Sequence, residues 1–454
     1  MAGFQIGGIV SGLETDKLLQ QLMALERQPV VRLEQKQLDL ERKADAWRDV
    51  RSRLTSLLNR VGELRTASTY TGMKASTSKE GLVTVATMTG AEAASYELVV
   101  EQLAVTQRNT SGRHGDIKAA LGLEGDLIIA DTAGGKSWEL GLEAGDSLTT
   151  VMQKINASQA GVRASLVDGH LIITGEDLGS FTLADGSDGD ILSELKLTEN
   201  EGMQVRAAQK AQVFIDGVKI ESDSNTLKDV IPGLSLRLTG EGTTSVTVSQ
   251  DTDRALAVVK GFIEQYNSTF DFISNQLKYD VDTKTKGTLF AEGALMQIQS
   301  NLRQKVGGVV EGLPRELNTL IQLGITTGKI GTGTAATGKL ELDEGKFLAK
   351  LKEDPQGVAD LFKALGDDLL EDLTGLTKST TGIISGREKA VKDQIGALKK
   401  QMEQWEYRLE KKEESLVKQF TALEKALSQL NSQGTWLAGQ IDSLAAGWGY
   451  GRSN

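Results

Sequence analysis

Cysteine is absent from the 454-residue chain, which excludes disulfides, thiol nucleophiles and cysteine-bound metal. Histidine is almost absent too. His114 and His170 are the only two, far apart in sequence and without an i,i+4 or acidic companion, so neither a zinc site nor a histidine relay is indicated. Four prolines against fifty glycines mean many tight turns and few helix breaks. Aromatics are sparse at 5%, and no apolar run approaches the length of a membrane span. A basic excess is also missing. With a net charge of −11 and a pI near 5.1, nothing is available to replace the counterions of a nucleic acid. The start, Met1-Ala-Gly-Phe-Gln-Ile-Gly-Gly-Ile-Val, lacks the basic flank and long apolar core of a cleaved signal peptide. It reads as cytoplasmic, or as exported by a route that needs no such peptide.

What is present is a folded composition, 25% charged and 39% hydrophobic, with room for about three domains. The dominant pattern lies near the carboxy terminus. From about Lys389 to Leu430, apolar residues at Ile395, Leu398, Met402, Trp405, Leu409, Leu416, Phe420, Leu423, Leu427 and Leu430 recur in steps of three and four, the spacing of one helix face. Such a helix is roughly 60 Å long, and a stripe that long needs a long partner. The other end of the chain offers one: Leu33, Leu40, Trp47, Leu54 and Val61 repeat every seven residues, with Val50, Leu57 and Leu64 filling the seam from Trp47 onward. Lys412 falls on the C-terminal seam, and the step from Leu416 to Phe420 is a stutter that locally unwinds a coiled coil. These features predict a multidomain α+β protein whose long N- and C-terminal helices pair as a coiled-coil stalk carrying inserted β-rich head domains.

Between the ends the texture changes. Val83 and Val85, then Tyr96, Leu98 and Val100, alternate as half-buried strands do. Leu127-Ile-Ile predicts a strand, Ser147 to Ile155 a short helix, and Asp168-Gly169 and Asp216-Gly217 two hairpin turns. Leu256 to Leu277, Leu295 to Val306 and the run after Asp354-Pro355 predict further helices. The expected organisation is 1–42 with 433–454 as terminal leg segments, disordered when unassembled; 43–75 with 251–432 as a helical stalk domain; 76–108 with 207–250 as a β-rich head domain; and 109–206 as an inserted α+β head domain.

Motifs with chemical content are weak. Gly333-Thr-Ala-Ala-Thr-Gly-Lys339 has phosphate-loop spacing, but Leu340 stands where a magnesium-holding hydroxyl belongs. Asp185-Gly-Ser-Asp-Gly-Asp190 has carboxylates at positions 1, 4 and 6, not the 1, 3, 5 and 12 of a calcium loop. No cofactor and no catalytic or metal-binding residue is expected, and the chain reads as a non-enzyme. The apolar residues of the extreme ends carry more information. Phe4, Ile6, Ile9, Val10, Leu13, Leu18 and Leu22 at one end, and Trp436, Leu437, Ile441, Leu444, Trp448 and Tyr450 at the other, sit in segments too short to bury them alone. Each large side chain left wet forgoes roughly 1.5–3 kcal/mol. They are expected to order when copies assemble.

Several stretches together resemble a known family. Gly7, Ser11-Gly-Leu-Glu-Thr-Asp16, Leu22-Met23, Glu26 and Pro29, then Ala94-Ser-Tyr-Glu-Leu-Val-Val-Glu-Gln-Leu-Ala104, Phe214-Ile-Asp-Gly217, Val259-Lys-Gly-Phe-Ile, Gly338-Lys-Leu-Glu-Leu-Asp343 and Gln419-Phe-Thr-Ala-Leu-Glu424 resemble the flagellar filament cap proteins, also called flagellar hook-associated protein 2. Trp47 stands where that family more often has tyrosine. The resemblance implies an extracellular protein, secreted uncleaved through the flagellar type III export channel. It would close into a homo-oligomeric ring at the distal tip and promote insertion of flagellin, with Ile6, Ile9, Leu13, Leu18, Leu22, Trp436, Leu437, Ile441 and Leu444 contacting flagellin or neighbouring copies. Hook–filament junction proteins and an export chaperone are further implied partners. Two alternatives are a junction protein of the same organelle and a head that acts as an adhesin for host mucus or glycans. The head has one tryptophan, Trp138, and no aromatic-rich sugar platform.

Overall fold

The computed structural model describes residues 15–449 except 133–134, 177–179, 187–189 and 329–337, with side chains as far as Leu444. Among the described residues ten α-helices follow in chain order: α1 (Thr15–Glu26), α2 (Gln28–Leu64), α3 (Ser68–Thr71), α4 (Leu148–Ala157), α5 (Ile191–Glu194), α6 (Thr252–Leu277), α7 (Gly293–Gly307), α8 (Glu344–Glu353), α9 (Pro355–Thr377) and α10 (Ile383–Gly449). The chain forms two compact units, one from the described parts of Met1–Tyr70 and Asp253–Asn454, the other from Thr71–Thr252.

The first unit is helical. Residues Trp47, Val50, Leu54, Leu57, Val61 and Leu64 of α2 are buried in one core with Val259, Phe262, Tyr266 and Ile273 of α6 and Leu361, Phe362, Leu365 and Leu369 of α9. Local signals start the helices where they begin: Asp343 caps α8 by accepting the Lys346 N–H, and Asp354 caps α9 by accepting the Gly357 N–H, with Pro355 in the first turn. Tyr70 stacks on Phe362 at 5.0 Å between ring centres and donates its hydroxyl to the Leu64 carbonyl at 2.7 Å; burial raises its pKa. Gly366 lies so close to α2 that a Cβ there would meet Arg65 Cβ at 2.9 Å.

The second unit contains two cores. One lies between a five-stranded antiparallel sheet, in the order Met73–Thr77, Gly242–Gln250, Ala94–Gln102, Ala211–Ile215, Val218–Ser222, and a three-stranded sheet of Thr226–Lys228, Leu234–Leu238 and Val83–Thr87. Alternation explains it: Val213 and Ile215, Leu234, Leu236 and Leu238, and Val246 and Val248 each point inward at every second residue. The other core is built by residues 108–206. It gathers a four-stranded sheet of Gln204–Arg206, Arg108–Thr110, His170–Gly175 and Val162–Val167, a three-stranded sheet of Ser137–Leu142, Gly125–Asp131 and Phe181–Asp185, and α4. The Asp168-Gly169 and Asp216-Gly217 turns both have φ positive at each residue (46° and 83°; 49° and 82°), the hairpin geometry those dipeptides favour.

A partly buried ion pair staples the second core. Asp146 accepts hydrogen bonds from the Glu143 N–H at 2.8 Å and from Lys154 Nζ at 2.6 Å, and Lys154 also donates to the Gly141 carbonyl at 3.0 Å. The Glu143 amide and then the ammonium hold the Asp146 carboxyl below its ordinary pKa. A carboxylate whose pKa is depressed by folding contributes stability above its unfolded pKa of about 3.9, and that contribution is lost as pH falls through the folded value. Asp146→Asn should therefore lower the thermal midpoint at pH 7 and flatten its decline below about pH 4; parallel acid limbs in variant and parent would contradict this assignment.

Candidate functional site: a paired helical stem

The helices at the two chain ends run antiparallel. Thr15 Oγ1 donates to Glu424 Oε1 at 2.9 Å, Arg27 Nη2 donates to both Glu406 oxygens at 2.8 Å, and Arg51 pairs with Glu388 at 3.2 Å. From Thr15 to Arg51 is 36 residues, and so is the return from Glu424 to Glu388, so both strands advance in step. This register sets Val30 opposite Leu409, and both are buried. Lys412, the charge that interrupts the apolar seam, reaches Glu26 at 3.7 Å. A seam fault in the sequence becomes a cross-helix ion pair in the fold.

The residues proposed for stalk pairing divide into three groups. Leu33 and Leu40 on α2, and Met402, Trp405, Leu416, Phe420 and Leu427 on α10, are half-buried, and Leu398 and Leu409 are buried; the stem is a two-helix contact and cannot cover more. Trp47, Leu54 and Val61 are fully buried but belong to the helical bundle. By register Leu54 meets only the first turn of α10, and Val61 lies beyond its start, against Gly366 of α9. Leu423 is 46% exposed. The four-residue step from Leu416 to Phe420 moves the seam to Leu416, Phe420 and Leu427, which leaves Leu423 on its flank.

The end residues fall outside this pairing. Leu18 and Leu22 are exposed on α1, and Trp436 (66% exposed), Leu437, Ile441 and Leu444 are exposed on α10, which runs without a break through Gly434 and Gly439. Ile6, Ile9 and Leu13, with Phe4 and Val10, lie outside the described residues, as do the side chains of Trp448 and Tyr450. So do residues 333–337 and 187–189 of the two weak loop motifs. At the margins of those loops, Lys339 pairs with Asp271 at 2.7 Å, and Asp185 accepts the Leu192 N–H at 2.7 Å. The two histidines, distant in sequence, are brought together. His114 donates its backbone N–H to the Gly169 carbonyl, and His170 Nδ1 lies 2.7 Å from the Ser111 carbonyl; both rings bond to backbone oxygens. Among the described residues no cluster of three His, Asp or Glu is placed to hold a metal, and no helix is long and apolar enough to cross a membrane.

The class this fold defines is a helical stem of antiparallel terminal helices, apolar and exposed toward Leu444, with a β-rich segment inserted between them in sequence. Comparison with known proteins says which kind. Residues 11–107 match the model for the flagellar hook-associated protein 2 N-terminus, 208–432 the model for its C-terminus, and 126–177 the flagellin hook IN motif. The flagellar hook-associated protein 2 of Escherichia coli O157:H7 is 29% identical, over 98% of this chain and 99% of its own length. The A-type protein of Pseudomonas aeruginosa is 28% identical over 97% of each. A crystal structure of the D1–D2–D3 domains of the flagellar cap protein FliD from Escherichia coli superposes with a TM-score of 0.62 at 28% identity, covering 76% of this chain and 99% of that one. The chain belongs to the flagellar hook-associated protein 2 family.

Proposed function

We propose that the chain caps the distal tip of the bacterial flagellar filament, closing into a homo-oligomeric ring that promotes flagellin polymerisation as the filament elongates. The observation that carries this reading is the agreement of both terminal family models and of the inserted domains with a flagellar cap protein over nearly its whole length. The role is structural, not catalytic. Residues 43–75 with 251–432 form the stalk, 76–108 with 207–250 and 109–206 the two head domains, and 1–42 with 433–454 the legs, whose described parts are already helical in the single chain. Leu18, Leu22, Trp436, Leu437, Ile441 and Leu444 then supply weak apolar contacts to flagellin's terminal helices, exchanged as each subunit folds beneath the ring. Export through the flagellar type III channel without a cleaved signal peptide, an export chaperone, and a seat next to the hook–filament junction proteins before flagellin arrives complete the reading. An adhesive head gains no support from Trp138, whose ring packs against the inner core of residues 108–206.

Deleting the gene tests the role directly. Cells without the protein should shed flagellin as soluble monomer and carry no filaments, and purified protein added to them should restore growth. Filaments of normal length in its absence would contradict the cap reading.

A further inference from the structure

The paired stem is not uniform. Helix α2 enters a deep core from Trp47 onward, whereas α1 contributes a single buried residue, Thr15, and leaves Leu18, Leu22 and Leu25 (62%) exposed. α1 and α2 are separated by a single turn residue, Arg27, which keeps a helical backbone and donates its N–H to the Met23 carbonyl at 2.9 Å; Pro29 follows in the first turn of α2, while α10 passes the same point unbroken. Proline removes a backbone donor there and favours a joint. Its apolar contact is thin, with only Leu19 and Met23 half-buried, and polar contacts add to it: Thr15 on Glu424, Glu26 on Lys412 and, at the junction, Arg27 on Glu406. Exposed ion pairs are individually weak and screened by salt, and twelve residues are too few for a helix that stands alone in water.

We propose that α1 is a releasable latch on α10, hinged at Arg27–Pro29 and held by these polar contacts and a narrow apolar one. By register Leu19 and Met23 cover Phe420 and Leu416; release bares that part of the seam while α2 stays paired with α10 below it. The freed surface is an apolar stripe flanked by Glu406, Lys412 and Glu424, which fits an amphipathic helix carrying both charge signs. Resting on the cap reading, that helix is the terminal helix of an incoming filament subunit, which takes the place of α1.

Hydrogen exchange on the full chain tests the latch without reference to flagella. The amides of α1 should exchange about a hundredfold faster than those of residues 50–64 in α2, and Glu406→Gln should speed α1 several-fold further without changing 50–64. Equal protection of the two segments, or no response to Glu406→Gln, would overturn the latch. The absence of cysteine allows a clean second arm, in which Thr15→Cys with Glu424→Cys is oxidised to lock α1 down. Locked protein should assemble to the same mass yet fail to sustain filament growth until reduced. Growth at the parental rate while locked would refute displacement of α1 by a filament subunit, and the exchange result would still judge the latch itself.

Discussion

Leu54→Asp should cost the helical unit about 4 kcal/mol or more, lowering its thermal midpoint by about 10 °C or abolishing the folded state. Leu54 is fully buried in the core that α2 shares with α6 and α9, where a carboxylate would be stripped of water. The paired control is Leu423→Asp on α10. Both leucines fall on apolar stripes of the sequence, yet Leu423 faces solvent on the flank of the seam, so its replacement should cost under about 1 kcal/mol. Thermal melts of the two variants, followed by helical circular dichroism, check the contrast. Equal losses would mean that Leu423 is buried, and that the seam does not turn at the four-residue step after Leu416.

Removal of residues 1–25 should abolish filament growth while leaving the protein folded. The truncation takes away most of α1 but none of α2, and the buried core of the first unit begins at Ala46. Among the described residues, the unit formed by Thr71–Thr252 shares no strand with the deleted segment. Near-native circular dichroism with a complete loss of filaments in a complemented strain is the expected pair of results. Normal filaments would refute the leg model, and a collapsed protein would show that α1 carries far more of the stem than its exposed leucines indicate.

How much of this was legible in the sequence depends on how local the signal was. The heptads at Trp47, Leu54 and Val61 and the alternation at Tyr96, Leu98 and Val100 express a period, and periods survive without knowledge of partners. The Asp168-Gly169 and Asp216-Gly217 turns were equally plain, because positive φ at two successive residues narrows the choice of side chain. So was Ser147, which caps α4 by accepting the Thr150 N–H. Partners were not legible. Nothing in the heptads of α2 says that its first half meets α10 and its second half meets α6 and α9 as well. Short edge strands escaped too: Gln204–Arg206 is exposed throughout, and Ser137–Leu142 has no β-branched residue to mark it. The helical stripe from Trp436 to Trp448 was legible as well; what was not is that α10 runs into it unbroken through Gly434 and Gly439. Two glycines cost a helix about 1 kcal/mol each, enough to suggest an end but not to make one.

The measurement that bears most directly on assembly is the solution mass of the full-length protein beside a chain lacking 1–40 and 433–454, with electron micrographs of both. A closed ring of few subunits, or paired rings, that weakens on trimming is the predicted result, since the exposed apolar ends would then be contacts between copies. A strict monomer at high concentration in both forms would contradict it, and would mean that those ends fold back on the stem of their own chain.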